Sequence, residues 1–114
     1  MNKIIISLFL FTIAHILIWF KLNGQFIWES FRKYSILVAI IIGSLISYIL
    51  IIATRYIVEG FNGLLWPGRF IGFSIGIIIF AFLTYIFFNE HITIKTGVSI
   101  TLAIILICIQ LFWK

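Results

Sequence analysis

Apolar residues run along this chain in four long blocks, parted by short clusters of polar and charged residues. The first block, Ile4 to Phe20, holds His15 as its one titratable side chain. The second, Tyr34 to Thr54, carries no charge. The third runs from about Phe61 to Phe88 and is interrupted by Pro67 and Arg69, and the fourth, Thr96 to Trp113, is again uncharged. A helix needs roughly 20 apolar residues to cross a bilayer. Strands of a membrane barrel alternate apolar and polar positions over about 10 residues, which "ILVAIII" and "IGIIIFAFL" do not. The pattern therefore predicts an all-α fold, an integral membrane bundle of four transmembrane helices over about 4–20, 34–54, 61–88 and 96–113, in one domain spanning 1–114. The connectors "KLNGQFIWESFRK", "RYIVEG" and "NEHITIK" are short, so neighbours in sequence run antiparallel, in up-down order.

Composition agrees with the pattern. Of 114 residues, 64% are hydrophobic and 10% charged, against about 45–50% and about 25% in soluble domains. Lys3 followed by the apolar stretch 4–14 has the shape of a signal peptide. No A-x-A-like cleavage site follows it, and three more apolar blocks do, so an uncleaved first helix is expected. The net charge of +5 does not point to nucleic acid. Lys21, Arg32, Lys33, Arg55, Lys95 and Lys114 stand singly or in pairs at block ends, where they snorkel to headgroups, beside Trp19, Trp28, Tyr34 and Trp113 at the interfaces. Counted by side, Lys3, Arg55 and Lys114 face Lys21, Arg32, Lys33 and Lys95. That is nearly a balance, so the positive-inside rule instructs orientation weakly and insertion both ways is open.

Candidate chemistry is sparse. The lone cysteine, Cys108, excludes an internal disulfide and is read as packing. No nucleophile–base set, phosphate loop, metal motif or selectivity filter occurs, so neither an enzyme, a cofactor nor a metal is expected. His15 could relay a proton or bind a polar solute, or simply hydrogen-bond a neighbouring helix. Thr12 and Trp19 share its face. In "LLWPGRFIGFSIG", Pro67 either lies inside a helix begun near Phe61 and bends it, or sits in the first turn of a helix begun at Trp66. The first choice buries Arg69, with Glu59 or Glu90 as its carboxylate partner. The second leaves it at the interface. Gly68, Gly72 and Gly76 form one row at spacing four, which lets helix backbones approach closely. Gly43 and Ser47 repeat that row in smaller form.

The segments "LISYILIIATRYI", "LLWPGRF" with Trp66 and Gly68, and "IFFNEHITIKTGVSITLAIILI" resemble the second, third and fourth helices of the small multidrug resistance family, within the drug/metabolite transporter superfamily. That family's first helix carries a membrane-embedded glutamate; here Thr12 falls near its position, and Ile4 to Phe20 contains no carboxylate. The resemblance implies the fold, a homodimer, antiparallel if insertion is dual, and a substrate chamber lined by the first three helices. His15, Trp66 and Arg69 would lie in it, giving a neutral to positive lining. The expected function is transport of a neutral or anionic small molecule, or a lipid-linked substrate or headgroup, by alternating access in the bacterial inner membrane. The competing reading is a holin-like pore former or an accessory membrane subunit.

Overall fold

The computed structural model describes residues 2–113. Lys114, counted among the interfacial cations above, lies outside the described residues. Among them are four long helices: α1 (Asn2–Asn23), α3 (Ser35–Gly60), α4 (Trp66–Phe88) and α5 (Ile94–Phe112), each long and apolar enough to cross a membrane. A short helix, α2 (Glu29–Lys33), stands between α1 and α3. Isoleucine and phenylalanine are ordinarily strand formers. In lipid no water can satisfy a free backbone group, and a helix satisfies its own, so helix wins throughout.

The boundaries follow turn chemistry. α3 runs through "RYIVEG" to Gly60, past the expected end at Thr54, because Arg55 and Glu59 can stay helical beyond the apolar slab. It stops where Asn62 and Gly63 take positive φ (57° and 90°) and Gly63 N–H returns 2.8 Å to the Val58 carbonyl. α4 therefore starts at Trp66, five residues later than Phe61. Pro67 occupies its first turn, where the missing N–H has no helical partner to lose, so the chain takes the second of the two choices for Pro67. α4 ends on left-handed Asn89, and Thr93 caps α5 by accepting from Thr96 N–H at 3.2 Å. The first connector is itself folded. Gly24 lies under the Phe31 ring, and Trp28 stacks on Phe20 with centroids 6.1 Å apart.

Neighbours in space are not always neighbours in sequence. α1 packs against both α3 and α4, and α5 rests mainly on α4, giving the lateral order α3–α1–α4–α5. The result is a flattened bundle of 47 × 35 × 18 Å. α1 and α4 run parallel, both from the end that holds Lys3 and Trp66. The inner seam comprises Ile4, Phe11, Ala53, Ile57, Ile71 and Ile75. Small residues bring the backbones together: Ala14 and Ala53 have no exposed surface. Outward faces are apolar, from Ile36, Ile41 and Ile51 on α3 to Leu102 and Ile105 on α5. Contiguous apolar surface of this kind is untenable in water and fits hydrocarbon.

Candidate functional site

Phe11, His15 and Trp19 are spaced by four on α1 and so share a face. Across the parallel interface they meet a matching row on α4. A Cβ on Gly72 would come 3.3 Å from the Phe11 ring, and one on Gly76 would come 2.5 Å from His15 Cδ2 and 2.7 Å from Nε2. Further along, Trp19 Nε1 donates to Thr84 Oγ1 at 3.1 Å, with both side chains buried. Gly68 belongs to a different contact, against Ile57 of α3. The glycine row thus works inside the protomer, meeting two partners. Gly43, by contrast, has nothing within 4 Å of a Cβ position, and Ser47 is exposed.

The His15 ring is fixed by one hydrogen bond. Nδ1 lies 2.9 Å from the Phe11 carbonyl oxygen. A carbonyl can only accept, so Nδ1 is the donor, and in the neutral ring Nε2 then holds the free lone pair. Nε2 has no partner among the described residues and retains solvent-accessible surface.

His15 lines a cleft of about 400 Å³ between α1, α4 and the N-terminal half of α5. His15 and Gly76 form its floor, Phe73, Ile77 and Phe80 its apolar wall, and Thr96 and Ser99 its α5 side. Glu90 and His91, from the α4–α5 connector, stand at its rim. No lysine or arginine lines it among the described residues. Gly76 lies twelve residues before the end of α4, about 18 Å at 1.5 Å per residue. The cleft thus runs from an acceptor well inside the apolar stretch of α4 to a polar rim near that helix's end.

Of the three residues expected in a substrate chamber, the structure brings only His15 to this cleft. Trp66 and Arg69 are exposed at the opposite end of α4, where Trp66 stacks on Phe70 with centroids 5.6 Å apart. The physical reason is the late start of α4: with Pro67 in the first turn, Arg69 is one turn from the helix end and reaches the interface. Glu59, expected as its partner, pairs instead with Lys3 at 2.9 Å. The cleft lies on the first, third and fourth transmembrane helices and has a carboxylate at its rim, whereas the resemblance implied a neutral to positive chamber among the first three. Thr96 and Ser99 were not singled out in the sequence, and Glu90 was named there only as a partner for Arg69. No group of three His, Cys, Asp or Glu side chains that could hold a metal occurs among the described residues.

Fold and cleft together define a class: a multi-pass membrane protein of four antiparallel-connected helices with a side-opening cleft. Beyond the class, no family model, no curated protein and no solved structure matches the chain.

Proposed function

We propose that this protein is a small transporter-like membrane protein of the drug/metabolite transporter type, working as a homodimer in a bacterial inner membrane. Its cargo is a small molecule or lipid of amphipathic character that enters the cleft between α1, α4 and α5. The observation that carries this reading is the cleft itself: about 400 Å³, with His15 on its floor, an aromatic wall and a polar rim. Ligand pockets measure about 300–1,000 Å³ and are mostly apolar with a few convergent polar groups. Polar and ionisable groups at membrane depth are costly and normally serve a function. Of the neutral and anionic cargoes the sequence allowed, the neutral one is favoured, since no cation among the described residues lines the cleft and Glu90 stands at its mouth. α5 covers only one flank, and a second copy would complete the enclosure that alternating access needs.

The test is a flip assay in vesicles. Protein is reconstituted with a monoacylglycerol whose chain end carries a fluorophore, and dithionite is added outside. Transport predicts quenching well beyond the outer-leaflet fraction quenched in protein-free vesicles, whereas quenching limited to that fraction rejects it. The exposed apolar flank of α5, with Ala103 its only buried residue among those described, also suits a holin-like pore former. Leakage of an encapsulated dye from the same vesicles would favour that reading instead.

A further inference from the structure

We infer that the cleft recognises a neutral hydroxyl group, and that His15 is the specificity-determining residue that reads it. This rests on the cleft being a ligand site. The Phe11 carbonyl accepts from Nδ1–H at 2.9 Å, so in the neutral ring the tautomer is set from within α1 and Nε2 is the acceptor. Gly76 keeps that acceptor open, since any side chain there would begin 2.7 Å from Nε2. Phe73, Ile77 and Phe80 surround the floor with hydrocarbon, where a matching donor binds with more energy than at the surface. Thr84 stands apart from this acceptor: it lies eight residues beyond Gly76 on α4, about 12 Å along the helix, and its Oγ1 accepts from Trp19. One free lone pair set in hydrocarbon is the complement of a single neutral donor, and a hydroxyl is the donor that neutral amphipathic lipids and polyols carry. A carboxylate or phosphate offers Nε2 no proton, and it would also have to pass Glu90.

The source of the hydroxyl is either a lipid head or a free polyol. The experiment uses protein labelled with ¹⁵N-histidine and with ¹³C-methyl isoleucine in nanodiscs, with the His15 signals assigned against H91Q. It is titrated with 1-monooleoylglycerol, with the di-O-methyl ether of that lipid, and with glycerol. The expected result is an upfield movement of His15 Nε2 with monooleoylglycerol, an Nδ1–H tautomer throughout, and affinity for the ether about tenfold lower, as the loss of one buried hydrogen bond implies. H15Q lowers affinity for the diol to a similar degree and leaves the ether unaffected. Movement with glycerol as well assigns a free polyol, and movement with the lipid alone assigns a lipid head. Equal affinity for diol and ether, or an Nε2–H tautomer, overturns the inference. The Ile77 and Ile100 methyls report occupancy separately. If they respond to both lipids while Nε2 stays still, the cleft reading stands and the hydroxyl reading falls. If nothing responds to any probe, both fall.

Discussion

Gly76 and His15 are the tightest test of packing at the level of single residues. A Cβ at Gly76 would strike the imidazole, and overpacking of this kind costs about 1–3 kcal/mol. Alanine's helix preference returns at most about 1 kcal/mol. Gly76→Ala is therefore expected to destabilise by about 1–2 kcal/mol in a reversible unfolding titration in detergent. Gly43→Ala, which meets nothing within 4 Å, is expected to be neutral or stabilising. Equal effects at both sites would show that the α1–α4 approach is misplaced. The Trp19–Thr84 bond offers a second check. Hydrogen bonds between membrane helices average about 0.6 kcal/mol and reach about 1.7. A double-mutant cycle of Trp19→Phe and Thr84→Val should give a coupling inside that range, and a coupling of zero would remove the bond from the account. The Lys3–Glu59 pair is half exposed, so Glu59→Gln should change stability by less than about 1 kcal/mol, and less still at high salt.

At the level of elements, the sequence was most legible where lipid is the only solvent. Four long apolar blocks translate directly into four helices, because hydropathy is the dominant signal in a bilayer. The ends were less legible. "RYIVEG" reads as a connector by polarity, but polarity marks the membrane boundary and not the helix boundary. The helix goes on until Asn62 and Gly63 adopt left-handed geometry. The same turn decides the choice at Pro67 and with it the fate of Arg69. Label accessibility checks this: a cysteine replacing Arg69 should react with a water-soluble maleimide as readily as one replacing Glu59. Protection of position 69 alone would mean that α4 starts earlier and carries the arginine inward. The cleft was the least legible feature. It depends on the lateral order α3–α1–α4–α5, and short loops fix antiparallel sense without fixing which helix sits beside which. The spacing of Phe11, His15 and Trp19 against Gly72 and Gly76 held that information, but only for a reader who already knew that α1 and α4 are adjacent and parallel.

At the level of the whole molecule, charge is spread almost evenly between the two ends. Arg69 joins Lys3 and Arg55 at one, while Lys21, Arg32, Lys33 and Lys95 lie toward the other. Orientation follows cations near the helix ends, so a C-terminal reporter is expected to register on both sides of the membrane, and Gln25→Lys with Ser30→Lys to shift it to one. The thin, 18 Å dimension of the bundle leaves the seam between helices little more than one layer deep, so stability must come from close contacts at glycine and alanine. All of this presupposes that each long helix passes through the bilayer. Spin labels stepped along the outward faces of α1, α3, α4 and α5 in lipid vesicles measure that most directly, through their relative accessibility to oxygen and to a polar nickel reagent. Four profiles should each rise to a single oxygen maximum near the middle of the helix and fall to headgroup values at both ends. A helix whose labels all report headgroup depth would contradict the account.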